Sequence, residues 1–165
     1  MEMFVSLLYK EGYFAKANFV RRGKLDFSCF NDSYGREFIK FAAFKFGEDH
    51  QAIAKWLSGS ELKKVALFGC PSLSRKSVFS AKRLRRYFEI PEDKVCKGCI
   101  LKHSCHFVNQ RVWNGDTKML NLAVAMKLIT EYALEAVHPK LSVPSEIKAS
   151  VSRLLTEVSK LSTTC

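Results

Sequence analysis

Residues 95–105 read Val95-Cys96-Lys97-Gly98-Cys99-Ile100-Leu101-Lys102-His103-Ser104-Cys105, a C-x2-C-x5-C spacing. A fourth cysteine, Cys70, stands upstream in Gly69-Cys70-Pro71. A C-x2-C loop is short enough to turn both sulfurs toward one ion, and Gly98 relieves crowding where the backbone wraps it. Four thiolates complete a zinc tetrahedron or hold an iron–sulfur cube, so Cys70 joins Cys96, Cys99 and Cys105 as the natural fourth ligand. Structural zinc usually draws on two close pairs of ligands, and the second pair is missing. The expected cofactor is a [4Fe–4S] cluster, with Zn2+ as the alternative. Ile100 and Leu101 are expected to shield it from water. His103 and His106 flank Cys105 and are alternative fourth ligands for a Cys3His zinc site. The plainer reading is four unligated thiols, because a free cysteine packs as a small hydrophobe. The close spacing argues against it.

Working outward, Ser72 or Ser74 opens a helix from Arg75 to Phe88 that fills the sequence between Cys70 and the triplet. At 100° per residue, Leu73, Val78, Ala81, Leu84, Tyr87 and Phe88 fall on one side. Arg75, Lys76, Lys82, Arg83 and Arg86 fall on the other, with Arg85 at the margin and Phe79 within the basic face. Cations interleaved with an aromatic ring suit a phosphate backbone and a stacked base, so these residues are the candidate nucleic-acid contacts. Against this stands the commoner fate of a basic face, which is to be solvated. Asn109-Gln110, Lys102, Arg111 and Trp113 continue the polar, basic character.

Upstream, Met1 to Arg22 reads as one or two short amphipathic helices with Phe4, Leu7, Leu8, Phe14, Phe19 and Val20 inward. Asn31-Asp32-Ser33 offers caps for a helix from Tyr34 to Phe46 that Gly47 should stop. Asp49 can cap a shorter helix reaching Trp56-Leu57, and Ser60 one through Phe68, with Gly69 just beyond its end. Downstream, Asp116 is expected to cap Thr117 to Val137, closed by His138-Pro139. Pro144 opens Ser145 to Leu161, whose Ile147, Val151, Leu154, Leu155, Val158 and Leu161 share a side. These last two helices form an expected αα-hairpin. No useful strand pattern appears. The chain therefore reads as all-α and one domain over 1–165: N-terminal helices in 1–68, metal site and basic helix in 69–113, helical hairpin in 114–165.

Composition narrows the function. The 165 residues carry 27 Lys and Arg against 16 Asp and Glu, a net charge of +11, which implies a polyanionic partner. No apolar run is long enough to span a bilayer, so no membrane association is expected. Met1 to Leu8 does not read as a secretory signal, and metal-bound thiolates suit a reducing compartment. Cys29 and Cys165 lie outside the cluster. Gly-rich phosphate loops, G-x-S-x-G, H-E-x-x-H and paired catalytic carboxylates are all missing, so the reading is a non-enzyme.

Gly69-Cys70-Pro71-Ser72-Leu73, Ser80-Ala81-Lys82-Arg83-Leu84-Arg85 and the Val95–Cys105 run together resemble a segment of plant organelle proteins that carry Ran-binding-type zinc fingers. The resemblance spans roughly Glu61 to Val108. It implies a chloroplast or mitochondrial factor in RNA metabolism, with RNA and protein partners and with Cys70, Cys96, Cys99, Cys105 and the basic helix carried over. The tandem fingers themselves are missing from this chain, so their RNA specificity is not carried over. The cysteine pattern also resembles iron–sulfur DNA enzymes. Helix-hairpin-helix glycosylases need a cysteine where Glu89 stands. RecB-type nucleases match the spacing, but their acidic and lysine site is not found. The expected function is thus a non-catalytic RNA-binding factor, with DNA as a possible target. The alternatives are an adaptor docking a protein through its C-terminal helices, or an accessory domain of a DNA nuclease or glycosylase.

Overall fold

The computed structural model describes residues 1–21, 23–112, 120–137 and 141–164. Among them there are seven α-helices, three 3-10 turns and no strand. The helices are α1 (Glu2–Lys10), α2 (Ser33–Asp49), α3 (Ser60–Leu67), α4 (Arg75–Tyr87), α5 (Glu92–Lys97), α6 (Leu122–Ala133) and α7 (Ser145–Thr163). Trp113, Asp116, His138, Pro139 and Cys165 lie outside the described residues, as do residues 117–119; the expected Thr117–Val137 helix is shorter, running from Leu122 to Ala133, with Asn121 as its cap and a turn after it.

The α2–α6 pair is the spine; α1 and α7 pack against it, and α3 packs on α7 and α4. Asp32 caps α2, accepting a hydrogen bond from the Gly35 amide. Gly47 does not stop α2. It lies in the last turn, where a Cβ would sit 2.5 Å from the Ala123 Cα and 2.8 Å from the Leu122 carbonyl oxygen. A missing side chain here lets two backbones touch. The helix ends at Asp49 instead, and the expected helix toward Leu57 is a 3-10 turn over Gln51–Lys55. Gln51 bridges the junction: its side chain donates to the Gly47 carbonyl at 2.7 Å and accepts from the Leu122 amide at 3.0 Å. Asn121 caps α6 through the Val124 amide.

One continuous apolar core joins these helices, with Phe4, Phe46, Leu122, Ile129 and Leu155 almost fully shielded. At ~25 cal/mol per Å² of apolar area, such burial is the main force holding the fold. α7 turns Ile147, Val151, Leu154, Leu155 and Val158 inward, as its spacing requires. Its outward residues Ser152, Arg153, Glu157 and Lys160 are exposed, so it offers no apolar face to a partner. α4 leans on α6 and α3 and carries α5 at its far end.

Candidate functional site

α3 ends where Gly69 takes a φ of +97°, a left-handed turn that costs glycine little. The buried Tyr132 hydroxyl of α6 donates to the Gly69 carbonyl at 2.7 Å and holds this corner. Cys70 follows directly. Ser74 then caps α4 through the Ser77 amide at 3.3 Å. At the other end of α4 the chain reverses through Glu89, held at a φ of 54°, into α5. This short helix was not anticipated. It carries Cys96 in its last turn, and two further turns place Cys99 and Cys105 (Cys99 amide to Cys96 carbonyl, 3.3 Å; Cys105 amide to Lys102 carbonyl, 3.3 Å).

Cys70, Cys96, Cys99 and Cys105 all line one cavity of about 30 Å³, closed by apolar side chains that include Leu73, Val78, Leu101 and Phe107. One buried water needs roughly 10–15 Å³ of such space. Among the described residues, however, no group of three or more His, Cys, Asp or Glu side chains is arranged so as to hold a metal ion. The four cysteines share the lining of this space without forming a metal-holding group. His103 and His106 are exposed and take no part in the lining. Leu101 is buried against the cavity as anticipated, whereas Ile100, 65% exposed, points away from it.

The surprise is Arg85. The helical wheel left it at the margin, yet it is only 1% exposed and lines the thiol cavity. Its Nη2 reaches the Cys70 sulfur at 3.7 Å. Its Nε and Nη1 are buried without a hydrogen-bond partner. Guanidinium stays protonated in proteins, so a full positive charge lies buried here. Among the described residues no carboxylate pairs with it, although burying an unpaired charge costs several kcal/mol. Burial pushes the Cys70 thiol up, opposed by Arg85 and reinforced by Cys105 and Cys99. Cys96 is likewise raised by burial and held down by Arg85.

Lys82 departs from expectation in the same direction. It was placed on the solvent-facing side, but it is 5% exposed. Its ammonium donates to the carbonyls of Phe107 and Gln110, each at 2.6 Å, and pairs with Glu92 at 2.6 Å. It clamps the segment after Cys105 and the start of α5 to α4, which removes it from the candidate phosphate contacts. Arg86 is exposed but donates to the Val112 carbonyl at 2.8 Å. Phe79 is half-buried, edge-on to Phe107 at 5.8 Å, with the Arg75 guanidinium 5.4 Å above its ring. Its ring is largely occupied. Arg75, Lys76 and Arg83 are exposed. The signal for the buried pair was present: Val78, Ala81, Lys82 and Arg85 follow i, i+3, i+4, i+7, an inward stripe whose charges masked its spacing. Cys29, outside the cluster, donates its thiol to the Asp26 carbonyl at 2.7 Å.

Fold and site together define an all-helical protein with a cysteine-ringed, arginine-bearing cavity at the junction of α4 and α5. Comparison with protein-family models, curated proteins and solved structures gives no match to this chain.

Proposed function

We propose that the chain is a non-catalytic RNA-binding factor in which Cys70, Cys96, Cys99 and Cys105 hold a [4Fe–4S] cluster as a structural staple. The observation that carries the metal part is Arg85. A buried cation with two orphan donors, lining the thiol cavity and in no ion pair among the described residues, calls for an anionic group in the cavity. Four thiolates around a cluster or a Zn2+ ion supply net negative charge and sulfur acceptors. Bound there, the cluster would cross-link the Gly69–Cys70 corner to α5 and the turns after it, holding both ends of α4.

The RNA part rests on the net charge and on the exposed Arg75, Lys76, Arg83 and Arg86. DNA offers the same phosphate chemistry, and organelle location follows from the resemblance to plant organelle proteins. The inward-turned apolar face of α7 weighs against the adaptor reading.

Anaerobic purification with iron, sulfide and zinc analysis tests the metal. A brown protein with iron and sulfide, lost in Cys99→Ser, is the expected result; a colourless, metal-free protein of unchanged Tm overturns it. RNA affinity that falls steeply with salt, by a slope of about 0.7 per phosphate contacted on a single strand, supports the second part. Affinity indifferent to salt and to Arg83→Glu/Arg86→Glu refutes it.

A further inference from the structure

On the other side of α4 from the thiols, a cleft of about 390 Å³ opens between α2, α6 and the first turn of α4. Its volume lies within the range of small-molecule sites. Lys40, Lys76 and Lys127 enter it from three different helices. Lys40 pairs with Glu37, and Lys127 lies 3.7 Å from the buried Glu131. Among the described residues Lys76 has neither an ion pair nor a hydrogen bond, and the α4 N-terminus adds its partial positive charge beside it. Two pairs and one surplus ammonium leave the cleft close to one net positive charge, the complement of one phosphodiester. At its rim stands Phe41, 61% exposed.

Phe41 lies on the same stripe of α2 as Tyr34 and Phe38, at i+7 and i+3. Phe38 packs inward against Phe14 and Phe19, and Tyr34 lies edge-on to Phe19, which leaves Phe41 as the ring the cleft offers. An exposed ring beside a surplus ammonium suits a base and its phosphate. A buried carboxyl at the floor adds specificity: the Glu131 residue is 6% exposed, and its Oε2 has no hydrogen-bond partner.

We propose that this cleft is a nucleotide-binding site for single-stranded RNA, seating a phosphate between Lys76, Lys40 and the first turn of α4 and stacking a base on Phe41. The proposal rests on the RNA-binding reading above and moves its main contact from the Phe79 face to the α2–α4–α6 cleft. A fluorescein-labelled oligouridylate, titrated against wild type, Phe41→Ala, Lys76→Glu and Trp56→Ala, tests it. Trp56 is 76% exposed and does not line the cleft, so its loss is a control for general aromatic stickiness.

Phe41→Ala is expected to weaken binding about tenfold, the lower part of the range for one stacked base. Lys76→Glu should lower both affinity and salt slope, and Trp56→Ala should bind like wild type. Phe41→Trp should restore binding, which a merely structural role for Phe41 does not predict. Wild-type binding unchanged in Phe41→Ala and Lys76→Glu overturns the cleft and leaves RNA binding elsewhere on the chain. No wild-type binding at low salt overturns the RNA reading and the cleft with it.

Discussion

Replacing Arg85 by Met should have opposite effects on the empty and the loaded protein. Without a metal centre, the guanidinium is a buried charge with Nε and Nη1 unpartnered and only a long contact, 3.7 Å, to the Cys70 sulfur. Each orphan donor costs about 1–3 kcal/mol. Methionine is unbranched and adapts to irregular space, so the variant removes that cost with little repacking loss. The empty Arg85→Met protein should gain on the order of 2 kcal/mol, or roughly 4–8 °C in Tm for a chain of this length. In the loaded protein the same change strips an anionic centre of its buried counter-charge, and breaking a buried pair this way costs about 3–5 kcal/mol. The loaded variant should therefore lose its metal more readily and melt lower. Thermal and urea unfolding under reducing, anaerobic conditions, with and without chelator, read both signs, and iron or zinc content gives a readout independent of folding. If Arg85→Met lowers the Tm of the empty protein and leaves metal retention intact, Arg85 is an ordinary packing residue and the reasoning fails.

Three other outcomes are expected. Lys82→Met removes two carbonyl contacts and the Glu92 pair, which should cost about 2–4 kcal/mol in urea unfolding and hasten metal loss; a purely RNA-affinity defect with unchanged stability would contradict the clamp. Gly47→Ala drives a methyl into the Ala123 backbone, with no flexible side chain to yield, and should destabilise by about 3 kcal/mol or more; a Tm within a degree of wild type would show that α2 and α6 do not touch there. Burial raises the Glu131 carboxyl above its ordinary 4.5, against the pull of Lys127. The folded state therefore keeps this proton longer than the unfolded chain, and its contribution to stability declines as pH rises from about 4.5 through the raised value. Glu131→Gln should show a shallower decline over that window, gaining on wild type as pH rises; parallel stability–pH curves would refute it.

How much was legible in the residues varies along α4. A serine cap at Ser72 or Ser74, of which the structure uses Ser74, the Val78, Ala81 and Leu84 face and the stop before Pro91 all follow from local rules, because capping and 3.6-residue spacing act within one turn. At Lys82 and Arg85 charge and spacing point in opposite directions, and spacing prevails. Their positions are inward, and both are tolerated there only because distant groups answer them: the carbonyls of Phe107 and Gln110 for Lys82, the ring of thiols for Arg85. Gly47 is a related case. A glycine near a helix end usually marks its stop, and only the approach of Ala123 reveals that it is a contact.

By itself the sequence determined the helical class, most helix starts, the close Cys96, Cys99 and Cys105 triplet and the excess of positive charge. These depend on periodicity, caps and composition, which are properties of neighbours along the chain. Only the tertiary structure decided that Cys70 shares a cavity with the other three, that Arg85 and Lys82 are buried, that His103 and His106 are exposed, and that Lys40, Lys76 and Lys127 enter one cleft. Each of these depends on which helices meet and at what depth. That outcome is set by the packing of α2, α4 and α6 over long stretches of chain, and no local pattern encodes it.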